Sequence, residues 1–237
     1  MYLGFIEKYD FNFKKTIVSL TMVIISLLLM KDSTYFYKCV CFPIITGFSL
    51  YIHFTKSDFK RLFFKFPKTI YIKTPYVKNK KINARYKETG IMFLLIKIII
   101  ISLMVSILSA LLGQLLGVNI NSHTTSGNLE KTKEFFMYGW ISLIGEEFLK
   151  YNILFPFVFL TSKKFGLKVS ILISSIVACA IFGLLHFGAY GWNIYHLIFV
   201  IGLSSLIWLY AFYKTGNIST TIFIHIMYDF IVFAIAM

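Results

Sequence analysis

The chain alternates long apolar runs with short connections rich in lysine. Runs fall at 11–30, 34–54, 91–117, 135–160, 169–187, 194–213 and 218–237. Crossing a hydrocarbon core of ~30 Å takes about 20 mostly apolar residues in helical form. The pattern therefore predicts seven transmembrane helices and an all-α, polytopic membrane helical bundle. The first run has a basic flank, Lys14 and Lys15, like a secretion signal. Its end, Leu29-Met30-Lys31-Asp32, offers no small-x-small cleavage site, so a retained span is expected.

The connections set the expected orientation, because Lys and Arg are retained on the cytoplasmic side. With the N-terminus inside, the inner connections carry 18 of the 24 basic residues and the outer ones three, Lys31, Lys131 and Lys133. Lys38, Lys97 and Lys150 lie within runs. The expectation is N-in and C-out. Eleven basic residues fall between Lys56 and Lys87, in the one long connection, 56–90, where Phe and Tyr are interleaved with them. A loop held against an anionic leaflet is expected there, with docking of an acidic partner as the alternative. Polar residues inside apolar runs begin at about residue 134. The expected organisation is thus N-terminal spans with a basic cytoplasmic loop over 1–133 and a functional core over 134–237.

Composition narrows the class further. The chain is 58% hydrophobic and 14% charged, and its mean hydropathy is +0.76. A soluble domain is about 25% charged, so an ordinary soluble enzyme, a disordered chain and a disulfide scaffold are all excluded. The net charge of +14 is accounted for by topology, and no nucleic acid partner is implied. Cys39, Cys41 and Cys179 sit in apolar runs and are expected to be buried thiols.

Ionisable groups in mid-membrane cost at least ~2.5–3.5 kcal/mol on insertion scales and point to function. Glu146, Glu147 and Lys150 lie in the fourth run, His186 near the end of the fifth, and His225 and Asp229 in the seventh. His225 and Asp229 are four apart and share a helix face, as do Phe182 and His186. Glu146 and Lys150 have the same spacing, which suggests an ion pair between them. His196, at the start of the sixth run, is read as interfacial. Such a cluster can serve several chemistries. Paired carboxylates supply an acid and a base, Glu with His activates water, and a second His holds an oxyanion. Glu and His also bind divalent metals or relay protons in a transporter. Spacing alone leaves these open.

Order and context add a resemblance. Gly145-Glu146-Glu147-Phe148-Leu149-Lys150-Tyr151 resembles the Glu-Glu-x-x-x-Arg motif of the CPBP family (CAAX protease and bacteriocin-processing, also called Abi). Phe182-Gly183-Leu184-Leu185-His186 is similar to its Phe-x-x-x-His motif, and His225-Ile226-Met227-Tyr228-Asp229 to its His-x-x-x-Asn/Asp motif. Thr215-Gly216-Asn217 looks like the family's Thr-Gly-Asn turn. The resemblance spans about 134–233. It implies an intramembrane endopeptidase in which Glu146, assisted by His186, activates water. Glu147 would support the site, and His225 with Asp229 would stabilise the oxyanion. Lys150, Tyr151 and Phe182 are the expected supporting residues. It leaves the metal question open: either no cofactor is used, or a divalent ion such as zinc is held by Glu146, His186 and His225.

Tyr151 stands where the motif has Arg. A Tyr hydrogen-bonds a carboxylate without neutralising it, so full activity does not follow from the motif alone. Asp229 stands where Asn is commoner. Depth is a second tension. If spans lie flush with the membrane, His186 and His225 differ in height by over ~10 Å. One site then requires the fifth helix to end within the membrane, with 188–193 recessed and lining the site. The expected substrates are peptides or proteins in the membrane, including leader-bearing peptides and bacteriocins. The lipid bilayer is the other partner, and oligomeric state is not legible. Lysine-dominated basic usage suggests a bacterial cell membrane. The competing readings are a non-catalytic binding or bacteriocin-immunity protein on the same fold, and a proton-coupled transporter.

Overall fold

In a computed structural model, the described residues are 9, 11–30, 37–64, 69–78, 81–118 and 129–235. Helices run in the order α1 (Phe13–Met30), α2 (Phe42–Tyr51), α3 (Lys56–Phe64), α4 (Ile91–Leu115), α5 (Leu129–Glu134), α6 (Trp140–Leu184), α7 (Phe187–Tyr190), α8 (Leu203–Thr215) and α9 (Ile218–Ile235). π-helical turns at Tyr37–Cys41, Phe135–Gly139 and His196–Gly202 lead into α2, α6 and α8. Between α3 and α4 lies an antiparallel hairpin of β1 (Thr69–Lys78) and β2 (Lys81–Gly90), which pairs Thr69 with Gly90 and Lys78 with Lys81.

The bundle is helical, as expected. Among the described residues, five helical segments are long and apolar enough to cross a membrane: Phe13–Met30, Ile91–Leu115, Thr132–Leu184, His196–Thr215 and Ile218–Ile235. Of the expected second span, residues 37–51 form a continuous helical stretch. The expected fourth and fifth spans are two arms of α6. They are joined at Gly166, whose φ of 71° and ψ of 161° interrupt the helix. A side chain would strain that backbone, and glycine accepts it. The chain doubles back there, and Ser174 returns to within 3.3 Å of Thr161. The connection 56–90, expected as a plain loop, contains α3 and the hairpin.

The helices are built inside out relative to a water-soluble bundle. On α1, Thr16, Ser19 and Ser26 are buried with Val23, while Ile17, Val18, Ile24 and Leu28 face outward. On α4, Ser102, Ser106 and Gly113 face inward, and Ile96, Ile100 and Met104 outward. Lipid tails are as apolar as Leu, so aliphatic residues gain little by turning inward. Small residues instead bring helices close and let hydroxyls bond across them.

Two such contacts hold the functional helices. The Ser19 and Ser49 hydroxyls lie 2.7 Å apart and within hydrogen-bond distance of Asn152 Oδ1, at 3.1 and 3.0 Å, so one bonds its neighbour while the other donates to the amide. Asn152 Nδ2 donates to the carbonyls of Thr46 and Phe148, both at 2.9 Å. This ties α1 and α2 to the first arm of α6. On the second arm, Gly183 lies against the Leu197 carbonyl so closely that a Cβ would collide with backbone.

The turn into α9 shows why Thr-Gly-Asn is used. Gly216 takes the left-handed conformation that ends α8, and its N–H donates to the Phe212 carbonyl at 2.7 Å. Asn217 Oδ1 then accepts from the Ser219 N–H at 2.7 Å, capping α9. Ser219 Oγ donates to the Phe63 carbonyl at 2.7 Å, so α3 and this turn share one end of the bundle.

Candidate active site

The return at Gly166 brings Phe182 and His186 alongside Glu146 and Glu147, and α9 adds His225 and Asp229. Glu146 Oε2 lies 3.4 Å from His186 Nε2 and 3.9 Å from His225 Nε2. His225 Nε2 also lies 3.6 Å from Asp229 Oδ2, and its Nδ1 lies 3.1 Å from Glu147 Oε1. All five expected catalytic residues therefore share one cluster. The height difference between the two His disappears because α6 ends at Leu184 and His186 lies in the turn beyond it.

The cluster has a front and a back. The side chains of Glu146, His186 and Asp229 are each 22% exposed, while Glu147 is fully buried and His225 nearly so, at 3%. The front set opens to the surface of the protein, and the back set is closed off. His186 Nδ1 lies 2.8 Å from the Phe182 carbonyl. A carbonyl only accepts, so Nδ1 carries the hydrogen and Nε2 is the nitrogen presented to Glu146. Phe182 also places its ring 4.8 Å from His186 and 5.8 Å from His225. Glu146 Oε2 is shielded and has no hydrogen-bond partner among the described residues, which leaves it free to accept one.

Lys150 corrects the expected pairing. Its Nζ lies 2.7 Å from Glu147 Oε1, three residues away, and not on Glu146. The pairing follows from burial: fully buried Glu147 needs a cation, and partly exposed Glu146 has two imidazoles. Tyr151 bonds Thr221 at 3.0 Å and packs on Phe155 and Phe212, where it serves the core.

Ser205 and Trp208, neither singled out from the sequence, also join the site. Lys150 Nζ donates to Ser205 Oγ at 3.1 Å, and the Trp208 ring lies 4.4 Å from that of His225. Their spacing of three on one helix face was the signal available. His196, expected at the interface, is 6% exposed and stacks on Tyr190 at 4.5 Å. The segment 188–193 is only partly recessed, because Trp192 is 70% exposed while Tyr190 turns inward. Burial, with Asp229 and Glu146 nearby, pushes the Tyr190 hydroxyl up. Among the described residues, no group of three or more His, Cys, Asp or Glu has an arrangement suited to hold a metal ion. Glu146, His186 and His225 thus do not form a ready ligand set.

Residues 129–231 match the family model described as type II CAAX prenyl endopeptidase Rce1-like. That stretch contains all three motifs, and the match is consistent with the CPBP family, which is of protease type. No curated protein and no solved structure matches the chain.

Proposed function

We propose that the protein is an intramembrane endopeptidase that hydrolyses peptide bonds of membrane-associated or leader-bearing peptides. The observation that carries this is Glu146, a partly exposed side chain at the edge of an otherwise buried cluster, whose Oε2 lies within 3.4 and 3.9 Å of two imidazole nitrogens. Glu146 takes a proton from water as the water oxygen attacks the scissile carbonyl carbon. His186, held through the Phe182 carbonyl, steadies Glu146 and that proton. The negative charge that develops on the carbonyl oxygen is met by the Nε2–H of His225, with the ring protonated on both nitrogens and Asp229 beside it. The proton then passes to the amide nitrogen, the C–N bond breaks, and a carboxylic acid and an amine leave. A bacterial cell membrane is the proposed location, with the N-terminus inside.

The test compares new peptide termini by mass spectrometry in cells that express wild type or Glu146→Gln at equal levels. Leader peptides and prenylated C-terminal peptides are both sampled. Termini that need Glu146 are the expected result. One observation favours a second reading, a non-catalytic binding or immunity protein: Tyr151, at the motif's Arg position, bonds Thr221 and no carboxylate. That reading requires Glu146→Gln to keep the phenotype and to leave the peptide pool unchanged.

A further inference from the structure

We infer that Lys150 is a positioning residue of this site, acting through Glu147 on His225. The inference rests on the endopeptidase reading and extends it to a residue outside the three motifs' fixed positions.

The geometry converges on one point. Lys150 and Glu147 are both fully buried, with Nζ and Oε1 2.7 Å apart. The same Oε1 lies 3.1 Å from His225 Nδ1. Lys150 Nζ also sits over the rings of Phe182, at 5.1 Å, and Trp208, at 5.2 Å. Those two rings are the ones that flank His225, at 5.8 and 4.4 Å. Lys150 and His225 therefore share three neighbours: a carboxylate and two aromatic rings. Ser205 completes the cation's surroundings and in turn contacts Cys179 Sγ at 3.6 Å.

A buried carboxylate keeps its charge only beside a compensating cation. With Lys150 present, Glu147 is an acceptor that holds the Nδ1 side of the imidazole. The ring then turns Nε2 toward Glu146 and Asp229, where the reaction occurs. Without Lys150, His225 itself would have to neutralise Glu147, and its hold on the developing oxyanion would weaken. Tyr151 takes no part, since its hydroxyl is committed to Thr221. In this chain the cation comes from one position earlier than the motif's Arg.

The test uses the full chain in detergent and a quenched-fluorescence peptide spanning a cleavage site identified by the comparison of termini. The variants are Lys150→Met, Lys150→Arg and the double variant Glu147→Gln with Lys150→Met. Lys150→Met should lower the melting midpoint and reduce kcat roughly 100-fold, as misplacement of a reacting group does, with KM nearly unchanged. The double variant removes the stranded charge. It should recover the melting midpoint yet stay as slow as Lys150→Met, and Lys150→Arg should recover part of kcat. Lys150→Met at wild-type kcat, or a double variant that regains wild-type kcat with its stability, would overturn the inference, because the pair would then be structural. Glu146→Gln is run alongside. If wild type and Glu146→Gln behave alike, the endopeptidase reading fails. If Glu146→Gln is dead while the double variant is active, only the role of Lys150 fails.

Discussion

Two ionisable groups in the cluster are tied down by something short and local. His186 is fixed through the carbonyl four residues before it, and Glu147 through the lysine three residues after it. Tyr151 is the instructive residue, because the motif gives it a charge role and the structure gives it a core role. Tyr151→Phe should lower stability by about 0.5–1.5 kcal/mol, the net value of one hydrogen bond. The loss lies toward the small end, since Thr221 keeps its bond to the Ile218 carbonyl. Thermal melting of the purified variant checks this, and a destabilisation of several kcal/mol would mean that Tyr151 holds more than Thr221. The residues of the three motifs were legible in the sequence because charge in an apolar run is rare. Which Glu takes the lysine was not legible. Spacings of three and four both reach on a helix, and only burial chooses between them.

Helix contacts place these residues at working distance. The first arm of α6 carries both Glu and is bonded to α1 and α2 through Asn152, Ser19 and Ser49. Replacing Asn152 with Leu removes the amide that joins those hydroxyls to the Thr46 carbonyl, at a cost of about 0.5–1.5 kcal/mol for each bond lost. The melting midpoint should fall, and peptide turnover should fall with it because the Glu-bearing arm loses its brace. An unchanged midpoint would show that α1 and α2 dock by packing alone. Gly183→Ala tests the second arm. Its Cβ meets the Leu197 backbone, which cannot rotate away, so overpacking of about 1–3 kcal/mol is expected in the same melt. Polar residues of the first spans, such as Ser19, Thr46 and Ser49, drew no attention in the sequence. Single hydroxyls in an apolar run carry no charge signal, and their partners lie more than a hundred residues away in Asn152.

At the scale of the whole chain, lysine distribution and tertiary contact point the same way. The expected inner side includes Lys56, Lys60, Arg61 and Lys214, and the bond between Ser219 and Phe63 puts their helices at one end of the bundle. Single cysteines at Ser57 and Ser162, in a chain freed of its native thiols, should be labelled only after permeabilisation. A cysteine at Lys133 should be labelled from outside. The opposite pattern would reverse the orientation.

The sequence by itself determined that the chain is a membrane bundle and which five ionisable side chains in its apolar runs are the candidates for its chemistry. These follow from local quantities: apolar run length, the cost of charge in lipid and spacing along a helix. The tertiary structure alone decided that the fourth and fifth runs are one chain folded at Gly166, and that His186 and His225 meet at Glu146. It also decided that Lys150 belongs to Glu147. Each of these depends on how far apart two distant segments end up. That distance is set by a glycine backbone and by close helix crossings, which leave almost no mark on the pattern of apolar and polar residues.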